Sequence, residues 1–388
     1  MLLRPALLCP DHRAWRSDPL YSPGVAQALH TAFARLAPPE ITPEDFLWAC
    51  GDVAPWLNTV MGSRQRIRIF LLFARAHEAD GAYTDALGYV DRALEVAGRG
   101  HIPEDLTDLL LYHAKLERAR ARYETAAGDL EACLALLRDR AAGDDEAIDP
   151  PLRLELLAQL ADYEFYLGHF AEATRLVDQA QLLALHAPHR ALDVADVACV
   201  QAQLDRLRGF TWDAIGPMLR ATTIYKREAP PISQGRIAAF VTELALDVVE
   251  RLPDGSNGAQ RMGLLTLARI HLTQAEHLTR QAKDRPGRGL ARLAHARYSR
   301  LRGTNSDRRR RIEEVIRLGQ QLDDHALTAQ AFTALGDELA SQGEKEGSLD
   351  CYRQTIGLLD GSEVPALAVP ARRKLLRARE MATDEAWQ

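Results

Sequence analysis

Gly81-Ala82-Tyr83-Thr84-Asp85-Ala86-Leu87-Gly88-Tyr89-Val90-Asp91-Arg92-Ala93-Leu94 is the stretch that decides how this chain folds. Ala86, Val90 and Ala93 fall at i, i+4 and i+7, so three small apolar side chains share one stripe of a helix. Just upstream, Phe70, Phe73, Ala74 and His77 form a second stripe. Gly81 between them supplies a turn at low steric cost. Alanine at the closest approach of two antiparallel helices lets the backbones pack tightly; a larger side chain would pry them apart.

The arrangement returns along the chain. Ala114, Ala121-Arg122-Tyr123, Ala126, Leu130 and Cys133 make a second unit. Leu157, Leu160, Ala161, Gly168-His169-Phe170, Ala173, Val177 and Ala180 make a third, and Ala202, Gly209, Ala214, Met218 and Ala221 a fourth. A weaker fifth joins a helix over 236–251 to Gly263, Ala268, Leu272 and Ala275. Ala296, Gly303, Ile312 and Val315 mark the sixth; Phe332, Leu335-Gly336, Gly343, Ser348, Tyr352 and Thr355 mark the seventh. The expected turns at 81, 121, 168, 209, 263, 303 and 343 lie 40, 47, 41, 54, 40 and 40 residues apart. Self-similarity at such a period is the mark of a solenoid, whereas a generic helical bundle would show one such unit by chance.

The pattern resembles the tetratricopeptide repeat, W-x2-L-G-x2-Y-x3-G-x-Y-x2-A-x3-F-x2-A, over roughly residues 64–360. That repeat has a period of about 34 residues, so these units carry longer helices or longer links. Long-period variants of this kind are similar to the sensor regions of bacterial peptide-responsive regulators and of maltose-activator-type transcription factors. The resemblance implies an all-α, right-handed α-solenoid of about seven tetratricopeptide-like helix-turn-helix repeats with capping helices at both ends. Residues 1–63 read as an N-terminal helical cap whose Phe46, Trp48 and Trp56 cover the first repeat, 64–360 as the solenoid, and 361–388 as a C-terminal capping helix and tail. After Pro370, residues 371–381 read as a basic, solvated helix.

In the family resembled, the first helix of each pair lines the concave surface. Counting back from the turns, the resemblance puts Arg68, Arg75, Lys115, Arg118, Glu155, Asp162, Tyr166, Gln203, Arg206, Arg297, Arg300, Gln330, Thr333 and Asp337 in a ligand-binding groove. Arginines would clamp a peptide carboxylate, and amide or acidic groups would meet its backbone.

Other chemistry has little support. A net charge of −6 sets up no global basic field, so no direct nucleic-acid partner is expected. The five cysteines form no C-x-x-C pair and read as buried apolar residues of a cytoplasmic protein. No uncharged apolar run approaches the roughly 20 residues of a membrane span. Phosphate-loop, dinucleotide and zinc-protease motifs are missing, so no cofactor, metal or catalysis is expected. His271 and His277 fall on different helix faces, and His186 and His189 flank Pro188 without a partner at ligand spacing. Arg308–Arg311 read as the start of a helix capped by Ser306 or Asp307, its charges spread around the axis and partly ion-paired.

These readings converge on a protein- or peptide-binding scaffold or adaptor without catalysis of its own. Two alternatives stay open: a peptide-sensing regulator without a DNA-binding domain of its own, acting through a partner protein, and an enzyme with a site in the concave groove. A second copy of the chain is a further candidate partner.

Overall fold

A computed structural model describes residues 63–387, apart from short connectors at 81–82, 101, 121, 142–147, 187–188, 254–257, 305–306, 323 and 360–363. The expected N-terminal cap, with Phe46, Trp48 and Trp56, lies outside the described residues, as does the Gly81-Ala82 turn. The described residues form fifteen helices and no strand. The chain divides into two compact units, residues 1–144 and 145–388.

In the first unit α1 (Ser63–Asp80) packs on α2 (Tyr83–Gly100), and α3 (Pro103–Ala119) on α4 (Tyr123–Arg140). Ala86, Val90, Ala93 and Ala97 of α2 are buried against Ile67, Phe70, Phe73 and Ala74 of α1. Tyr89 stacks on Phe73 with centroids 4.8 Å apart and on His77 at 5.4 Å, so His77 serves as a packed ring.

The second unit pairs α5 (Pro150–Tyr166) with α6 (Phe170–His186), α7 (Ala191–Arg208) with α8 (Thr211–Glu228), and α9 (Pro231–Arg251) with α10 (Gly258–Gln281). It continues with α11 (Arg285–Leu301) on α12 (Arg308–Gln321) and α13 (His325–Ser341) on α14 (Lys345–Leu359), and ends in α15 (Pro365–Trp387). The seven helix pairs correspond to the seven repeats, and the fold is an all-α tetratricopeptide-like solenoid. None of the described helices is long and apolar enough to cross a membrane.

Turn chemistry explains where the first helices stop. Gly209 ends α7 at φ 101°, in the left-handed region open to glycine. The Phe210 amide then reaches back to the Asp205 carbonyl at 2.8 Å, the Schellman closure of a helix end. Gly168, Gly303 and Gly343 close α5, α11 and α13 in the same way. Beyond α10, Lys283 adopts φ 54° without glycine's freedom. The L-G of the last repeat has a different purpose. A Cβ on Gly336 would lie 2.5 Å from Cε1 of Tyr352, so the missing side chain lets α13 and α14 touch.

Two expectations need correction. Gly263 is not a turn: it lies inside α10, and the break between α9 and α10 comes at 252–257. Pro253 forces Leu252 out of the helical region, to ψ 130°, which ends α9 there. The last helix begins at Pro365 and runs through Pro370, which lies exposed in its second turn. Val364, Ala366, Ala368 and Ala371 are buried at its start, whereas Arg372, Arg373, Leu376 and Arg377 beyond Pro370 are exposed.

Candidate functional site

In the first unit, the outward stripes of α1 and α3 build a cationic cluster around one aromatic ring. The Arg75 guanidinium lies 5.6 Å from the Tyr112 ring centroid, and Lys115 Nζ lies 5.7 Å from the same ring. The Tyr112 hydroxyl donates to Glu78 Oε2 at 2.8 Å, and Lys115 Nζ donates to Glu78 Oε1 at 2.5 Å. Burial raises the Tyr112 phenol far above its ordinary pKa and Glu78 adds to that, so the ring keeps its proton.

Arg75 is half-buried, yet it makes no hydrogen bond or ion pair among the described residues. Burial lowers its pKa, and the nearby Tyr112 and Glu78 offset this only in part. Arg68 lies two turns earlier on the same stripe of α1, exposed and likewise without a partner among the described residues. Arg118 is exposed one turn beyond Lys115. A partly desolvated guanidinium held over an aromatic face presents its donors in a plane that suits a carboxylate. Tyr112 and Glu78 were absent from the sequence-derived set. Their spacing was legible: Glu78 is three residues from Arg75, and Tyr112 three from Lys115.

In the second unit the expected arginines do meet, but with acids already in place. Arg206 Nε donates to Asp247 Oδ2 at 2.5 Å. Arg297 donates to Asp247 at 2.5 Å, to Glu243 at 2.5 Å and to Glu250 at 2.7 Å; Arg300 reaches Glu250 at 2.7 Å. Consecutive first helices α7, α9 and α11 are thereby joined through three arginines and three carboxylates. Burial alone would raise the Asp247 carboxyl; Arg206 and Arg297 outweigh it and hold the pKa well below the usual range. Sequence reading missed the acids, although Glu243, Asp247 and Glu250 stand at i, i+4 and i+7 on α9.

Among the remaining sequence-derived positions, Glu155, Asp162, Tyr166, Gln203, Thr333 and Asp337 are engaged within the chain. Gln203 points its amide at Asp162, at 3.5 Å, and Tyr166 meets Phe165 edge-on with centroids 5.5 Å apart. Glu155 pairs with Arg190, and the Thr333 hydroxyl lies 3.2 Å from that of Thr355. Asp337 accepts from Tyr352 at 2.7 Å and from Lys374 of α15 at 2.6 Å. Of the arginine run, Arg308 pairs with Glu338 at 3.0 Å, Arg309 with Glu313 at 3.0 Å and Arg310 with Asp307 at 2.9 Å, as an ion-paired face would.

Between α8 and α10 lies an apolar cleft of about 390 Å³, lined by Trp212, Ile215, Leu264 and Leu267 with Gly216 and Gly263 on its walls. Gly263 thus contributes to a cleft and not to a turn. Cys133, Cys199 and Cys351 are buried and form no disulfide among the described residues.

No family model and no curated sequence matches the chain. Among solved structures it is similar to the apo form of the quorum sensor NprR from B. thuringiensis, with a TM-score of 0.58 at 13% identity, covering 86% of this chain and 87% of that one. It is also similar to a Rap protein complexed with Competence and Sporulation Factor, with a TM-score of 0.52 at 10% identity, covering 94% of this chain and 99% of that one. At such identities the likeness is one of fold.

Proposed function

We propose that the chain is a binding scaffold for a peptide or protein, and that the Arg75–Tyr112–Lys115 cluster of the first unit captures a carboxylate of the bound segment. The observation that carries this is the half-buried Arg75, whose donors no described carboxylate takes up. A partner carboxylate would accept from Arg75, with Lys115 shared between it and Glu78 and Arg68 adding long-range attraction. In the second unit Arg206, Arg297 and Arg300 are matched by acids of the chain itself, so their proposed part is to hold consecutive repeats together. The protein would act in the cytoplasm, without catalysis of its own.

A second reading is a regulator that binds a signal and acts through a partner protein. The fold it shares with a quorum sensor and a Rap protein favours this by analogy, and both readings use the same cluster.

The test is affinity capture from the native host, with mass spectrometry of captured proteins and small peptides, for the wild-type chain and for Arg75→Ala/Lys115→Ala. A specific partner whose recovery falls at least about tenfold in the double variant supports the cluster, as expected for loss of a charge-assisted contact. Equal recovery by both chains would sink it. A co-purifying short peptide favours the signal receptor, and a large stable partner favours the adaptor.

A further inference from the structure

Arg220 and Lys226 of α8 lack the acid partners that Arg206, Arg297 and Arg300 have. Both are exposed, and neither makes a hydrogen bond or ion pair among the described residues. Both stand beside the apolar cleft between α8 and α10. Nη1 of Arg220 lies 3.8 Å from where a Cβ on Gly216, in the cleft wall, would stand. Burial lowers the His271 pKa and the Lys226 charge adds to this, so the ammonium lies close to α10 one turn beyond Leu267.

The cleft between these cations carries no charged residue of its own. α8 and α10 each pack on α9, and the cleft opens where the two face each other. Gly216 and Gly263 in its walls sit inside helices, where glycine is less stable than alanine. Helix packing does not demand Gly263, since a Cβ there would meet no atom within 4 Å; its bare backbone deepens the cleft. Trp212 is 53% exposed at one wall, and its indole N–H has no acceptor among the described residues. A tryptophan and an arginine so placed are the residue types that anchor protein contacts.

The occupant follows from shape and charge. Trp212, Gly216, Gln260 and Gly263 are all exposed, so the cleft is open along its mouth. A small ligand there would keep much of its surface in water, whereas small-molecule sites enclose most of their ligand. A side chain carried by a larger partner suits an open cleft better. A second copy docking through the same face would set Arg220 and Lys226 against themselves, because an isologous contact pairs a patch with itself. Opposite charge is what fits. We infer that the cleft between α8 and α10 docks an acidic segment of a partner protein, which seats a large apolar side chain against Trp212 and sets carboxylates on Arg220 and Lys226. The inference is independent of the carboxylate site in the first unit.

The probe is a short fluorescein-labelled peptide of glutamate and leucine with one tryptophan, followed by anisotropy with the full-length protein at low and high salt. Two control peptides carry lysine for glutamate, or serine for leucine and tryptophan; each should bind at least about tenfold more weakly. Because the first unit also presents cations, the variants are made in an Arg75→Ala/Lys115→Ala background, which should still bind the acidic peptide. Adding Gly263→Leu fills the cleft and should lower affinity at least about tenfold. Leucine favours a helix, so the urea midpoint should not fall. Adding Arg220→Ala/Lys226→Ala instead alters only exposed side chains; it should lower affinity by a similar factor and flatten the salt dependence. Loss of all binding in Arg75→Ala/Lys115→Ala alone assigns the peptide to the first unit. That result overturns the inference, as do equal binding of the lysine peptide, no binding of the acidic one, or an affinity that neither added change lowers.

Discussion

Arg297 of α11 donates to Asp247 of α9 at 2.5 Å, and the same guanidinium also reaches Glu243 and Glu250. One cation thus settles three acids that share a stripe of the neighbouring helix. Like charges at this spacing repel when left alone.

Replacing Arg297 by methionine keeps much of the side-chain stem and removes the charge. The Arg297 side chain is 15% exposed, so the acids it leaves behind are poorly hydrated. The expected loss is about 3 kcal/mol, the lower end for breaking a buried ion pair. It is read as a lowered urea midpoint, and Arg297→Lys should recover only part of it, since an ammonium cannot fork to three carboxylates.

Acid should act through the same residues. Burial raises the Asp247 and Glu250 carboxyls less than the arginines lower them, so both pKa values are depressed in the folded chain. A depressed folded-state value gives stability that is complete above the unfolded pKa, about 4, and is lost as pH falls through the folded one. The wild-type urea midpoint should therefore drop steeply below about pH 4, and Arg297→Met should show a shallower decline. Equal slopes would remove the network from the account.

The first unit should respond at the opposite end of the scale. His113 Nδ1 lies 2.6 Å from Asp129 of α4, and Nε2 lies 3.2 Å from Asp91 of α2. Burial lowers its pKa, but these two acids together with Glu117 outweigh burial and leave it raised. A raised value gives stability that is complete below the unfolded pKa, about 6.5, and is lost as pH rises through the folded one. After correction for intrinsic rates, amides of α3 and α4 should lose protection above neutrality. His113→Gln should remove that pH dependence.

Gly336→Ala should destabilise the last repeat by about 1–3 kcal/mol, the usual range for overpacking. Its methyl would stand 2.5 Å from the Tyr352 ring, and a ring whose hydroxyl is bonded to Asp337 has little room to shift. The urea midpoint of the purified variant measures the effect.

Lys283→Gly should act in the other direction. Relief of a left-handed residue is worth roughly 1–2 kcal/mol and the added chain entropy of glycine costs about 0.5–1, so a net gain of about 0.5–1 kcal/mol is expected. An unchanged or lowered midpoint would mean that φ 54° is unstrained there.

Much of this architecture was legible in local pattern. Ala86, Val90 and Ala93 announced one buried stripe, and Gly168, Gly209, Gly303 and Gly343 announced four helix ends, because spacing and turn chemistry act within a few residues. In the fifth repeat only the turn was miscounted: Gly263 suited the period, but the first helix ended at Leu252-Pro253. The candidate site was legible only by halves. Arg75 and Lys115 were found and Tyr112 was not, since aromatic residues at helix positions read equally well as core.

By itself, the sequence determined the helix pairs, most of their turns and the face each side chain takes, because a 3.6-residue period assigns faces without reference to any neighbour. Tertiary structure alone decided which charges are matched. Arg206, Arg297 and Arg300 find acids on α9, whereas Arg75 finds an aromatic ring and no described carboxylate. It alone also decided that α15 lies against α5 and α7, through an arginine 166 residues from its acceptor. Pairing of charges and docking of a helix depend on distances between segments far apart in the chain, and periodicity carries no information about those.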